Sequence, residues 1–185
     1  MKKLLVFAIW VSILSSCASV ENEARLTETL LAKQYNSITK QFENRPTFLS
    51  LESISKNEES LTISFDHYGA HVSKYRFLRS EIDSYIASIS KFISWQSIAL
   101  RDGDLLTKEI ARVKSWSFGV SAELVFTFHS GNKINHYLDI VFCTAGSCFN
   151  NEAMSLDIEN AIKLKETLIT FQKNKLKKFD SSKYK

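Results

Sequence analysis

The chain has 185 residues, 44% of them hydrophobic and 24% charged, which suits one globular domain or at most two small ones. The formal net charge of +4 is unevenly spread: residues 173–185 hold six lysines and one aspartate, Lys2 and Lys3 add two charges, and residues 4–172 are left at −3. An acidic body with a basic tail argues against a nucleic-acid-binding domain, in which the basic charge lies on the fold itself.

The N-terminus combines two lysines, a short apolar run and a few small residues. The apolar run Leu4–Leu14 has a single polar residue, Ser12. It is about half as long as the roughly 20 residues that a membrane-spanning helix needs. A charged start, a short apolar middle and small residues at the end are the three parts of an export signal. We therefore predict that residues 1–16 are a removable signal peptide.

The end of this segment resembles the lipobox of bacterial lipoproteins in the sequence Leu14-Ser15-Ser16-Cys17. The resemblance implies cleavage between Ser16 and Cys17, and lipidation of the Cys17 thiol through a thioether to diacylglycerol. Residues 17–20 would then be the lipidated N-terminus and a short tether. Ala18 follows the cysteine where an aspartate favours retention in the inner membrane, so the resemblance favours the outer membrane, facing the periplasm. The alternative is a plain secretory signal with an incidental cysteine.

Residues 21–44 predict a first helix, because apolar side chains recur at steps of three and four. That stripe contains Leu26, Leu30, Leu31, Tyr35, Ile38 and Phe42. Pro46 is expected to end the helix.

Three strands and a second helix are expected next. The strand candidates are Thr47–Ile54, Ser60–Asp66 and His71–Leu78, of which the second alternates most cleanly between apolar and polar residues. The helix is expected over Glu81–Arg101, with Ser80 and Asp83 as a capping pair at its start and Gly103 at its end.

The second half predicts a three-stranded meander, Lys108–Trp116, Ala122–His129 and Ile134–Cys143. An odd-numbered loop, centred on Gly131, would place Leu124, Phe126 and Phe128 on one face with His136, Leu138 and Ile140. His129, Tyr137 and Asp139 would lie on the other face. Asp157 is a suitable N-cap for a third helix, which would lead into the lysine-rich tail.

These elements give an α+β fold with about six antiparallel strands in two groups of three and three helices, in the order α-βββ-α-βββ-α. The domain is predicted to span residues 21–173, and residues 174–185 form a basic C-terminal tail. That tail either contacts an anionic envelope surface or is simply solvated.

The remaining cysteines, Cys143 and Cys148, are separated by four residues that include Gly146. In an exported protein a pair this close predicts a disulfide, with two buried free thiols as the alternative.

No metal or cofactor site and no catalytic residues are predicted. His67 and His71 are four residues apart, but Gly69 between them indicates a turn, and the sequence places no carboxylate or third histidine beside them. Asp66 with His67, and Asp139 with His136, are the available acid–base pairs, and any chain with this many acids offers such pairs. His136, on the apolar face, is expected to be a hydrogen-bonded core histidine.

We therefore expect a lipid-anchored cell-envelope protein that binds another component at the membrane surface and is not an enzyme. Its partners would be the membrane, through acyl chains on Cys17, and an envelope protein or anionic surface, but not nucleic acid. The alternatives are an envelope hydrolase whose site is assembled from distant residues, and a structural subunit of an envelope assembly. A cleft containing His and Asp would favour the hydrolase, and an exposed aromatic patch near Trp95 or Trp116 would favour binding.

Overall fold

The computed structural model describes residues 19–54, 58–67, 69–118 and 120–184. This part of the chain contains eleven strands and two α-helices, so the protein is α+β. The strands are, in chain order, β1 (Val20–Arg25), β2 (Ala32–Asn36), β3 (Gln41–Arg45), β4 (Thr47–Ile54), β5 (Glu58–Asp66), β6 (Val72–Leu78), β7 (Thr107–Ser117), β8 (Val120–Ser130), β9 (His136–Thr144), β10 (Ser147–Cys148) and β11 (Met154–Leu156). The helices are α1 (Ile82–Asp102), between β6 and β7, and α2 (Ile158–Gln172), after β11.

The strands form two antiparallel sheets. The first has the order β1-β4-β5-β6, and the second has the order β3-β2-β11-β9-β8-β7, with β10 paired to β9. The sheets adjoin where β6 runs beside β7, and there the Ser115 hydroxyl donates to the Arg76 carbonyl over 2.8 Å. None of the helices in the described residues is both long and apolar enough to cross a membrane.

The predicted helix over residues 21–44 is wrong, because this segment forms β1, β2 and β3. Tyr35 and Phe42, seven residues apart and therefore helix-like in spacing, are cross-strand partners in the β2–β3 hairpin. The Asn36 side chain accepts hydrogen bonds from the backbone N–H groups of Ile38 and Thr39, which forms the turn. Ile38 is 89% exposed, as suits a turn tip and not a buried helical stripe.

The predicted six strands and three helices are corrected to eleven strands and two helices within the described residues. The predicted elements after Pro46 are found with shifts of a few residues at their ends. The β8–β9 loop has an odd number of residues, as predicted, because Ser130 pairs with His136. That pairing centres the loop on Lys133, not on Gly131.

The main core cluster combines buried residues of both sheets and both helices. Phe126 and Phe128, on the helix-facing side of β8, contact Tyr85 and Phe92 of α1 with ring centroids 6.0 and 5.6 Å apart. Helix α2 buries Leu164, Leu168 and Phe171 in the same core cluster. Both α-helices of the described residues lie on this one face of the second sheet, and the candidate site lies on the other face.

Two of the three predicted helix-end features, the Asp157 cap and the Gly103 terminus, are found in the structure. The Asp157 carboxylate accepts from the Asn160 N–H over 3.0 Å and so caps α2. Gly103 ends α1 in the left-handed region at φ 72°. The predicted Ser80–Asp83 capping pair does not form, because α1 follows a single 3₁₀ turn and its N-cap, Glu81, makes no side-chain cap.

A buried ion network lies in the first sheet. Glu52 on β4 is fully buried and accepts from Arg76 Nε over 2.6 Å and from Lys74 Nζ over 2.8 Å, both on β6. The Arg76 guanidinium also lies over the Trp116 ring, 4.9 Å from its centroid. Burial would raise the pKa of Glu52, but the hydrogen bonds and charges of Lys74 and Arg76 outweigh it and lower the pKa.

Candidate functional site

A cleft with a volume of about 910 Å³ lies on the face of the second sheet opposite the helices. The β2–β3 hairpin, the β8–β9 loop and the segment before β11 form its walls. Its lining is rich in amide side chains, namely those of Gln34, Gln41, Asn132, Asn135, Asn150 and Asn151. The cleft therefore offers many hydrogen-bond donors and acceptors with little formal charge.

An aromatic wall completes this cleft. Phe42 stacks on Tyr137 with ring centroids 4.0 Å apart and an angle of 26° between the planes. Tyr35, the cross-strand partner of Phe42, lies 5.3 Å from it and is 49% exposed. The hairpin that sequence periodicity mistook for a helix is thus the element that brings two of these rings into the site.

Asp139 lies on the floor of the cleft. Ser155 is its cross-strand partner on β11, and the Ser155 hydroxyl donates to Asp139 Oδ1 over 2.6 Å. Burial raises the pKa of Asp139, although the Ser155 hydrogen bond opposes the shift. His136 points to the opposite, core face, where it contacts Phe128 and Ser130, so the structure separates Asp139 from His136.

A second polar cluster borders the cleft at the tip of the β5–β6 hairpin. His67 and His71 flank the hairpin turn, and their rings stack with centroids 4.4 Å apart. Glu152, from the segment before β11, lies 3.1 Å from His71 Nε2 through Oε1 and 3.9 Å from His67 Nε2 through Oε2. Ser73 on β6 completes the cluster, 3.0 Å from His67 Nε2 and 2.5 Å from Glu152 Oε2.

Neighbouring groups fix this cluster in place. Gln34 Nε2 donates to the Asn151 carbonyl over 2.8 Å, which turns Gln34 Oε1 towards His67 Nδ1 at 3.3 Å. The Tyr75 hydroxyl donates to the Glu152 carbonyl. Burial lowers the pKa of His67, and the charges of His71 and Arg45 act in the same direction, against Glu152.

The structure thus supplies the carboxylate that sequence reasoning found missing beside His67 and His71. One ligand atom from each of His67, His71 and Glu152 lies within 4.8 Å of the others. Asp66, the other acid considered for His67, instead accepts a hydrogen bond from the Gly69 N–H. Nothing local in the sequence relates Glu152 or Gln34 to this turn, because both come from distant elements.

A shallow groove of about 370 Å³ lies on the other side of the cluster. It is lined in part by His71, Glu152 and three phenylalanines, Phe118, Phe142 and Phe149. Phe118 is 71% exposed and lies 5.3 Å from the Trp116 ring, so exposed aromatic surface is present near Trp116. Trp95, the other tryptophan considered, instead packs on Phe128.

Cys143 and Cys148 are cross-strand partners in the β9–β10 hairpin. The sulfur atoms of Cys143 on β9 and Cys148 on β10 are at the distance of a disulfide bond, 2.00 Å. The predicted lipidation site at Cys17 and the cleavage site after Ser16 lie outside the described residues. The basic tail is hydrogen-bonded to the end of β1 and to the connection after it: the Phe179 N–H donates to the Arg25 carbonyl, and the Thr27 N–H donates to the Lys177 carbonyl.

Comparison with known proteins gives no relative: neither a family model, nor a curated protein, nor a solved structure matches this chain.

Proposed function

We propose that the protein is a lipid-anchored binding protein of the bacterial cell envelope, whose ligand site is the amide-rich cleft of the second sheet. The observation that carries the binding role is the cleft itself, about 910 Å³ in volume and walled by amides and stacked aromatic rings. Ligand sites are concave and combine aromatic side chains with a few placed polar groups.

The lining favours a neutral, hydroxyl-rich ligand such as an envelope saccharide. Amide side chains both donate and accept hydrogen bonds, as closely spaced hydroxyl groups require. The exposed ring of Tyr35 and the stacked Phe42–Tyr137 pair supply flat apolar surfaces for the C–H faces of a sugar ring. A strongly anionic ligand is disfavoured, because Asp139 lies on the floor and, among the described residues that line the cleft, Lys40 is the only lysine or arginine.

The anchor would hold the domain close to the membrane. Only Ala18 and Ser19 lie between Cys17 and β1, so at most about 10 Å of extended chain joins the acylated cysteine to the fold. Val20 starts β1 and pairs with Ile54 at one end of the first sheet, whereas the β5–β6 turn lies at the other end. The His67 cluster and the adjoining cleft would therefore face away from the anchoring bilayer.

The cleft is tested by titrating soluble envelope oligosaccharides into the protein and measuring heat and amide chemical shifts. Tyr35→Ala should weaken binding about fivefold, because removing a stacking ring from a saccharide costs on the order of 1 kcal/mol. Tyr184→Ala removes an exposed ring of the tail, outside the cleft, and should leave binding unchanged. Equal binding by the wild type and Tyr35→Ala would contradict the assignment of the cleft.

The anchor is tested separately in cells. Cys17→Ser should shift the protein from the membrane to the soluble fraction, whereas Cys148→Ser, which removes a sulfur of the disulfide and leaves the lipobox cysteine in place, should not. Mass spectrometry of the wild type should detect acyl chains on Cys17. A Cys17→Ser protein that still fractionates with membranes would contradict lipid anchoring.

A serine hydrolase is the second candidate, because Ser73 Oγ lies 3.0 Å from His67 Nε2. Two features oppose it. The Glu152 carboxylate lies 2.5 Å from Ser73 Oγ and would repel a developing oxyanion, and His67 Nδ1 faces an amide oxygen, not an acid. Labelling of Ser73 by a fluorophosphonate probe would favour the hydrolase, and absence of labelling would favour binding alone.

A further inference from the structure

In the His67–His71–Glu152 cluster, two hydrogen-bond acceptors, His67 Nε2 and Glu152 Oε2, compete for one hydroxyl proton, that of Ser73. The Gln34 amide is oriented by the Asn151 carbonyl, so its oxygen faces His67 Nδ1 and a neutral His67 ring carries its proton there. His67 Nε2 is then a bare lone pair. It lies 3.9 Å from Glu152 Oε2, and the one hydroxyl proton of Ser73 is within reach of both atoms.

The second histidine of the cluster lies on the solvent side. His71 Nε2 is 3.1 Å from Glu152 Oε1, close enough to donate a proton to that oxygen, and the His71 side chain is 50% exposed. Two imidazole nitrogens and a carboxylate thus converge from a hairpin turn and a separate loop on one partly exposed point. Such a point is suited to a cation.

We propose that His67, His71 and Glu152 bind a divalent transition metal ion, with Zn²⁺ as the best match. Two atoms bound to one tetrahedral zinc ion at about 2.0–2.1 Å are about 3.4 Å apart. The separations of 3.1 and 3.9 Å, to the two carboxylate oxygens of Glu152, bracket this value, and one ligand atom from each residue lies within 4.8 Å of the others, so side-chain rotations would bring the three groups onto one ion. Nitrogen donors select zinc and its transition-metal neighbours over Mg²⁺ and Ca²⁺, which take oxygen ligands.

The surroundings have the features of a metal site. Gln34 accepts from His67 Nδ1 and Ser73 donates to Glu152, so both ligands are oriented by outer hydrogen bonds. Three protein ligands leave one tetrahedral position free, as in zinc sites that exchange water or ligand. The proposed site adjoins the shallow groove, which His71 and Glu152 themselves help to line.

The experiment is calorimetric titration of Zn²⁺, and separately Mg²⁺ and Ca²⁺, into the full chain purified in detergent. We expect one zinc ion per chain and no comparable binding of Mg²⁺ or Ca²⁺. His71→Ala and Glu152→Gln should each weaken zinc binding at least tenfold, and Gln34→Ala should weaken it about 10- to 100-fold through loss of ligand orientation. Glu159→Gln, an exposed carboxylate on α2, should bind as the wild type does.

Substitution with Co²⁺ gives a second readout, because ligand-field absorption reports nitrogen coordination directly. Thermal unfolding without metal checks that the variants fold, and the exposure of His71 makes His71→Ala the mildest of them. Absence of zinc binding by the wild type, or undiminished binding by His71→Ala and Glu152→Gln, would overturn the proposal. Equal binding of Ca²⁺ and Zn²⁺ would overturn it as well.

Discussion

Replacing Glu52 by glutamine should strongly destabilise the first sheet. The Glu52 carboxylate is fully buried and is the acidic partner of Arg76, whose side chain is only 4% exposed. Glutamine keeps the shape but removes the charge, which leaves the Arg76 guanidinium buried without its counterion. Breaking a buried ion pair by removing one partner costs about 3–5 kcal/mol.

In a chain of this size each 1 kcal/mol lowers the melting temperature by about 2–4 °C, so a fall of roughly 6–20 °C is expected. The lower half of that range is favoured, because Arg76 keeps its contacts with the Trp116 and Phe118 rings. Urea denaturation followed by circular dichroism measures the free energy of unfolding. Glu109→Gln, which breaks the exposed pair with Arg112, is the matched control and should cost 0–1 kcal/mol.

The pH dependence gives an independent check. Because the pKa of Glu52 is lowered in the folded state, its contribution to stability is fully present above its usual value of 4.5 and is lost as the pH falls further. The difference in unfolding free energy between the wild type and Glu52→Gln should therefore narrow below about pH 4. A loss under 1 kcal/mol at neutral pH, or a difference that does not change in acid, would refute this reasoning.

Three further predictions concern local features. Replacing both Cys143 and Cys148 by serine should cost about 2 kcal/mol of unfolding free energy, and reductant should then destabilise the wild type but not the variant. Asp157→Ala should cost about 1 kcal/mol by removing the cap of α2, whereas Asp157→Asn should retain most of that stability in the same melting experiment. Gly103→Ala should lower the free energy of unfolding by about 1 kcal/mol, because alanine is strained at a φ of 72°. An unchanged melting temperature would contradict this prediction.

Sequence patterns predicted the elements after Pro46 well because burial there is periodic. The inward residues of β8 and β9 alternate strictly, so one choice of loop parity fixed which side chains face the helices. The segment before Pro46 was wrongly predicted to be a helix, because Tyr35 and Phe42 have helical spacing but are cross-strand partners in a hairpin. The Asx turn at Asn36 was the local signal that could have distinguished the two readings.

The candidate sites were only partly predictable for a different reason. His67 and His71 share one turn, so their proximity could be inferred from the sequence. Glu152 and Gln34 contact these histidines only because the two sheets pack together. Such a long-range contact cannot be inferred from a single sequence. The cleft likewise depends on long-range pairing, since its aromatic wall joins Phe42 of β3 to Tyr137 of β9.

The three-residue strand β11 determines when the second sheet can be completed during folding. Its three buried residues, Met154–Leu156, lie between β2 and β9 and join the N-terminal hairpin to the rest of the second sheet. During synthesis one edge of that hairpin lacks its neighbouring strand until about five-sixths of the polypeptide has been made. The proposed binding cleft therefore forms late in folding, and a chain that ended before β11 would lack the strand that joins the two walls of the cleft.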